Sequence, residues 1–177
     1  MVSVFMLFFV SGGNWKQMLW LAAILIFIIG VLIAIEPYRL ARLKVFINPS
    51  YDLEGAGYQI NQALIAVGSG GFWGRGFGLS RQKFNYLPEP IGDSVFAIAA
   101  EELGFLGSFV LIFLMLLFFL RGMRIAARAP DAFARLLASG IMFLITFQAL
   151  INISAIIGLL PLTGIPLSFV SHGGSAL

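Results

Sequence analysis

The chain contains no cysteine and a single histidine, His172. A disulfide framework, a cysteine-based zinc site and a multi-histidine metal cage are therefore excluded. Charge is also scarce: 11% of the 177 residues are Asp, Glu, Lys or Arg, against about a quarter in an ordinary soluble domain. Eleven Lys and Arg against eight Asp and Glu give a net charge of +3, but the sequence has no basic cluster interleaved with aromatics of the kind single-strand binders use. Nucleic acid is excluded as a partner on that ground. What remains is apolar. Hydrophobic residues make up 60% of the chain and the mean hydropathy is +0.99, a composition that excludes a soluble globular enzyme and a disordered tail and predicts a membrane protein.

Nineteen uncharged residues separate Lys16 from Glu36, and residues 18–35 are long enough at about 1.5 Å per residue to cross most of a hydrocarbon core. Residues 95–120 form a second apolar run, interrupted only by Glu101 and Glu102, and residues 136–160 a third with no ionisable group. Residues 1–13 read as the end of a further span, since they lack the basic n-region of a signal peptide. The Gly/Pro-rich residues 161–177 read as a loop leading to a span beyond them. The predicted fold is an all-α polytopic membrane protein in one membrane domain: three complete transmembrane helices, a partial N-terminal one, and the expectation of a fragment. The 121–135 connection carries four arginines and one acid, which assigns it to the cytoplasm and turns residues 36–94 outward. Arg39, Arg42 and Lys44 beside the first span oppose that assignment, although long loops translocate largely regardless of charge.

A loop of that length is usually functional or structured. Residues 55–78 contain eight glycines along with Phe72, Trp73 and Phe77. Glycine allows close backbone approach and aromatics suit the headgroup layer, so re-entrant or interfacial segments are expected. Gly68-Ser69-Gly70-Gly71 reads either as tight turns or as a phosphate cradle, and matches neither the dinucleotide nor the Walker A pattern. Asp93, just before an apolar helical run, reads as an N-cap or as a catalytic carboxylate. On a helix starting there, Asp93, Ala97 and Glu101 would share one acidic face. Glu101 and Glu102 lie inside a span, where a carboxylate needs protein, water or a cation. They read as snorkelling or as structural and proton-tuning groups. Gln148 and Asn152, one turn apart, read as interhelical glue.

Several of these motifs recur in a collinear order: Gly57-Tyr58-Gln59, Gln62, Gly68-Ser69-Gly70-Gly71, Gly74, Gly76 and Gly78, Ser80, Gln82-Lys83, Leu87-Pro88-Glu89, Asp93, and Glu101-Glu102-Leu103-Gly104. Gln148, Asn152, Gly164-Ile165-Pro166-Leu167, Ser171 and Gly173-Gly174-Ser175 continue the series. In this the chain resembles the SEDS family of FtsW, RodA and SpoVE proteins over essentially its whole length, from within the sixth of the family's ten spans to just before the tenth. Gln82-Lys83-Phe84 leans toward the division and sporulation members, and Ser175-Ala176-Leu177 toward the elongation ones.

The resemblance implies a peptidoglycan glycosyltransferase of the bacterial cytoplasmic membrane that polymerises lipid II on the outer face. It also implies pairing with a class B penicillin-binding protein and other division or elongation proteins. Asp93 falls on the family's catalytic acidic position. Arg75, Arg81, Lys83, Glu89, Gln59, Gln62 and Ser69 are the expected substrate-binding residues, and Glu101, Glu102, Ser171 and Ser175 the supporting ones. The acceptor hydroxyl must lose a proton as it attacks, which one positioned carboxylate assists. The leaving lipid diphosphate is a weak base and needs cations: Arg75, Arg81 and Lys83, alone or with a divalent ion such as Mg or Mn. Contact with lipid headgroups is the competing role for these three. The chain departs from the family pattern at Ile91 (usually polar, often His), Ser94 (usually Phe), Ser168 (Pro) and His172 (Tyr). Two other functions stay open: a transporter of the lipid-linked precursor, motivated by the intramembrane acids and Gly/Pro-interrupted segments, and a non-catalytic scaffold. Taken by itself the chain is expected to be inactive, because polar faces meant for absent helices would meet lipid.

Overall fold

A run of apolar residues in lipid has to satisfy its own backbone, and a helix does so within one segment. The computed structural model describes residues 2–12, 14–35, 37–48, 52, 55–84, 87–88 and 92–171. These form α1 (Val2–Val10), α2 (Trp15–Ile35), α3 (Pro37–Ile47), α4 (Ala56–Gly70), α5 (Val95–Ala127) and α6 (Ala132–Ile156), with no strand among the described residues. Among the described residues three helices are long and apolar enough to cross a membrane: α2 over Trp15–Leu32, α5 and α6.

The helix ends differ from the expected span ends for local reasons. The second run continues as helix through Ala127 and the third begins at Ala132, so Arg121 and Arg124 sit on the last turns of α5 and only residues 128–131 connect the two. The third run stops at Ile156 rather than at 160, because Gly158 (φ 77) closes the helix. There the Leu159 amide donates to Ser154 O (2.8 Å) and the Gly158 amide to Ala155 O (3.2 Å), the paired bonds of a Schellman C-cap. Residues 36–94 are not a plain loop, since α3, with a proline in its first turn, and α4 lie within them.

Two compact units make up the chain. The first takes residues 1–40 and 115–147. Within it the Phe119 and Phe143 rings lie 5.7 Å apart and Phe143 stacks on Phe147. Helix α2 exposes Leu19, Trp20, Ile26 and Phe27, as a lipid-facing helix does.

The second unit, residues 41–114 and 148–177, holds the polar groups. Helix α4 buries Gly57, Ile60, Ala63, Ala66 and Gly70 on one stripe, and α5 buries Phe96, Ala97 and Ala100. Small residues of this kind let helices approach closely.

Helix α5 is broken at Gly104, whose φ 68 and ψ −165 lie outside the helical region. A break in mid-span frees carbonyls on one side and amides on the other. The 71–76 segment meets both sets. The Arg75 and Gly76 amides donate to Glu101 O and Glu102 O (3.0 Å each), while the Phe105 and Leu106 amides donate to Gly71 O (2.9 Å) and Phe72 O (3.3 Å). The glycine-rich loop is therefore stitched into the helix break, which is how non-helical backbone is tolerated at membrane depth. A Cβ on Gly104 would run into the backbone of Phe72, Trp73 and Gly74, and its φ/ψ pair belongs almost solely to glycine. Gly104→Ala is expected to lower stability by at least about 2 kcal/mol, read as the midpoint of thermal unfolding in detergent. An unchanged midpoint would contradict the stitched-break account.

Candidate functional site

Two separate polar clusters lie in the second unit, and each has an acidic centre. The first is built on Asp93, in the turn that leads into α5. Because α5 starts at Val95, the N-cap position falls on Ser94. The capping role considered for Asp93 is therefore corrected, and its carboxylate faces sideways to α4. Gln59 Nε2 donates to Oδ1 (3.3 Å) and Oδ2 (3.2 Å), and the Ser94 hydroxyl donates to Oδ1 (3.2 Å). Asp93 is 9% exposed and Ser94 fully buried, so the hydroxyl has no competing water.

The backbone around Asp93 is held from α6 and the segment after it. Asn152 Nδ2 donates to Asp93 O (2.7 Å) and Ile165 O (2.6 Å), Ser171 Oγ donates to Gly92 O (2.6 Å), and Gln148 Nε2 donates to Pro166 O (3.2 Å). Asn152 and Gln148 thus fasten loops to helices, where the sequence pattern predicted helix-to-helix contacts. Arg42 of α3 donates from Nη1 to Leu162 O (2.7 Å). Both its Nη atoms and Asp93 Oδ2 lie within 4 Å of the point where a Cβ on Gly164 would stand.

The second cluster is centred on the acidic pair in α5. Glu101 is 1% exposed. It accepts from Ser80 Oγ (2.5 Å), from the amides of Arg81 (3.2 Å) and Gln82 (3.3 Å), and faces Arg75 Nε at 3.7 Å. Glu102 accepts from Lys83 Nζ (2.8 Å) and the Ser80 amide (3.3 Å). Both acids therefore anchor the 75–83 loop, which settles the snorkelling alternative against it. Asp93 and Glu101 do not share one acidic face, since Asp93 precedes the helix and Glu101 turns to this loop.

Residues expected to bind substrate divide between the clusters. Gln59 joins Asp93, whereas half-buried Gln62 has no hydrogen-bond partner among the described residues. Arg75 and Lys83 have their charges offset by Glu101 and Glu102. Ser69, Arg75, Arg81, Gln82, Ile65 and Glu101 line a cavity of 280 Å³, and Asp93 is not among its lining residues. Ser69 Oγ donates to Ala66 O (3.0 Å). Gln82 Oε1 in this cluster and Asn152 Oδ1 beside Asp93 are buried without a hydrogen-bond partner among the described residues. Glu89 and Ser175, with Ile91 and His172, lie outside the described residues.

Sequence reasoning missed Ser94 and Arg42 as site residues. Ser94 was visible only as a departure from the family pattern, and it supplies a donor to Asp93. Arg42 carried only a topology signal. Among the described residues no group of three or more His, Asp or Glu gathers that would hold a metal by itself.

Comparison with known proteins gives a consistent picture. The FtsW/RodA/SpoVE family model, described as "Cell cycle protein", matches residues 1–177. Stage V sporulation protein E of Bacillus subtilis (strain 168) is 46% identical over 170 residues, covering 96% of this chain and 46% of its own. A probable peptidoglycan glycosyltransferase FtsW of Buchnera aphidicola subsp. Schizaphis graminum is 42% identical over 172 residues, covering 96% and 49%. A solved structure concerned with the structural coordination of polymerization and crosslinking by a peptidoglycan synthase complex superposes with a TM-score of 0.71 at 27% identity, covering 99% of this chain and 48% of that one. The chain spans about half the length of the curated relatives it matches.

Proposed function

The chain belongs to the FtsW/RodA/SpoVE family of cell cycle proteins, and from that premise we propose that it forms the base-bearing part of a peptidoglycan glycosyltransferase. The substrate in this reading is lipid II, polymerised on the outer face of the bacterial cytoplasmic membrane. The observation that carries it is the Asp93 carboxylate, gripped from two sides by Gln59 and Ser94 on a turn that Asn152 and Ser171 hold in place. Relatives named as probable peptidoglycan glycosyltransferases support the reaction. The polymerization and crosslinking complex supports a partner that crosslinks the polymer; in this reading it is a class B penicillin-binding protein, joined by other division or elongation proteins.

The chemistry follows from the residues. The acceptor sugar hydroxyl attacks the anomeric carbon of the donor, its proton passes to an Asp93 carboxylate oxygen, and the carbon–oxygen bond to the diphosphate breaks with the electron pair leaving on phosphate oxygen. Hydrogen bonds from Gln59 and Ser94 orient the carboxylate, so little reorganisation is needed when the proton moves. A divalent ion, Mg or Mn, fits here only as Mg-type sites in phosphate chemistry do, with one carboxylate and the substrate's phosphate oxygens as ligands. Asp93 would be the protein ligand, and the ion would offset diphosphate charge. Arg75 and Lys83 serve the loop first; Arg81 and Ser69 border the 280 Å³ cavity, which suits a polar sugar or headgroup.

Of the two features that motivate the transporter reading, the acidic pair and the Gly/Pro-interrupted segments, Glu101 and Glu102 are fixed by loop donors rather than left to exchange partners. The test is to reconstitute the natural gene product in vesicles with labelled lipid II and follow polymer and translocation together. Glycan polymer is the expected product; translocation with no polymer would contradict the proposal.

A further inference from the structure

We infer that the hairpin joining α5 to α6 is a binding site for an anionic phospholipid, with Arg121, Arg124, Arg128 and Arg135 taking the phosphate and a groove between α1 and α6 taking an acyl chain. The site lies wholly in the first unit and is independent of the chemistry at Asp93. Its first support is a set of charges without counter-charges. All four arginines are exposed, and none of their side chains has a hydrogen bond or ion pair among the described residues. Asp131, the one acid of residues 121–135, pairs with none of them.

Helix geometry gathers these charges at one level. A Cβ on Gly122 of α5 would run into the side chain of Met142 of α6, so the two helices run together down to the 128–131 connection. At about 1.5 Å per residue all four arginines fall within about 10 Å of that connection along the helix axes. The negative end of the α5 dipole accounts for Arg124 in the last turn. It does not account for Arg135, which stands in the first turn of α6, where a helix dipole disfavours a cation. Four unpaired guanidinia held this close repel one another, and an anion from outside the chain relieves the repulsion.

The second support is the surface beside them. Val4, Leu7 and Phe8 of α1 and Phe133, Leu136 and Leu137 of α6 line an open apolar groove of 430 Å³. A Cβ on Gly140 would meet Leu7 Cδ1 at 2.9 Å, so α1 and α6 are in contact just beyond Leu137, away from the connection. Arg135 stands on the same turn of α6 as the groove residues. The positive-inside rule places arginines at such a connection, but it requires charge alone and gives the groove no role. An acidic peptide would satisfy the arginines and leave the groove empty. An anionic phospholipid matches both, and the two helices that carry the arginines are long and apolar enough to cross a membrane, which sets the patch at headgroup level. Residues 121–135 hold no lysine, and a planar guanidinium meets a phosphate through two parallel bonds, which an ammonium cannot do.

The test is binding of phosphatidylglycerol to the natural gene product in non-ionic detergent, read by native mass spectrometry, with phosphatidylcholine as the lipid of no net charge. The native protein is expected to prefer phosphatidylglycerol by at least about 30-fold. The double variant Arg128→Gln, Arg135→Gln should bind phosphatidylglycerol about 30-fold more weakly than native, since each arginine near a charged headgroup contributes about fivefold. Arg128→Lys with Arg135→Lys keeps the charge, loses the paired bonds and should fall between; it decides the matter if the glutamine variant does not fold. Glycerol phosphate, a headgroup without chains, should bind more weakly than phosphatidylglycerol, and equal affinity would overturn the part given to the groove. Equal affinity for the two lipids in the native protein, or equal phosphatidylglycerol affinity in native and both double variants, would overturn the site. Tighter binding of an aspartate-rich peptide than of phosphatidylglycerol would also overturn it, making the patch a protein-docking surface.

Discussion

Asp93→Asn in the natural gene product is expected to lower the rate of glycan polymerisation by about 10²- to 10⁴-fold, the span that positioned general bases contribute. The fold should survive the change. An asparagine side chain keeps an oxygen to accept from Gln59 Nε2 and Ser94 Oγ, and the carbonyl that Asn152 grips is backbone. What is lost is the basic oxygen. The loss should therefore appear in kcat, with KM for lipid II and the thermal midpoint close to native, because the substituted atom acts on the transition state and not on binding. An equal rate would remove Asp93 from the chemistry. A collapse of the thermal midpoint would move it to the scaffold.

Glu101→Ala is expected to destabilise the protein by about 3–5 kcal/mol, the range for removing one partner of a buried charge network. Three donors converge on this 1% exposed carboxylate, the Ser80 hydroxyl and the amides of Arg81 and Gln82, and the Arg75 guanidinium pairs with it at 3.7 Å. Truncation leaves the buried Ser80 hydroxyl and the two amides without this acceptor and Arg75 without its counter-charge, and an unsatisfied buried donor costs more than a made bond contributes. Glu101→Gln retains one oxygen and should lose less. The measurement is thermal unfolding in detergent, together with proteolysis of the 75–83 loop, which should become faster in Glu101→Ala. Equal midpoints for native and Glu101→Ala would show that the loop is held by something other than this acid.

The two effects separate because the two acidic centres do different work. Asp93 sits on a turn with two side-chain donors, Gln59 and Ser94. Glu101 and Glu102 are saturated by a loop that also repairs the broken backbone at Gly104. Stability should follow the second centre and turnover the first.

Much of this was legible in the sequence, though not all of it. The three spans follow from hydropathy, since uninterrupted runs such as residues 18–35 have one stable solution in lipid. From its position alone Asp93 reads as an N-cap or as a catalytic carboxylate, and only the resemblance to the family singles out the second. The acidic pair was recognisable as something lipid would not tolerate. The break in α5 was harder to see. Gly104 follows Glu101-Glu102-Leu103 in an otherwise helical run, and a glycine there signals a tolerated helix position as readily as a break. Only the distant Phe72–Gly76 backbone, which meets both sides of the break, decides between them. Arg42 was unreadable for a similar reason. In sequence it is one of three cations flanking a span, and its approach to Asp93 depends on α3, Gly164 and the turn before α5 being brought together in three dimensions. The C-cap at Gly158 is local, yet the apolar run to residue 160 carried the predicted span past it.

The most direct test of the central claim, that Asp93 takes the proton of the attacking hydroxyl, is chemical rescue of Asp93→Ala. The truncated side chain leaves a space beside Gln59 and Ser94 that a small carboxylate can occupy. Polymerisation of lipid II by Asp93→Ala is measured with rising formate at fixed ionic strength, with chloride as the control salt. The account predicts a rate far below native without formate and a saturable increase with formate, not reproduced by chloride. A native rate for Asp93→Ala without any added carboxylate would contradict it.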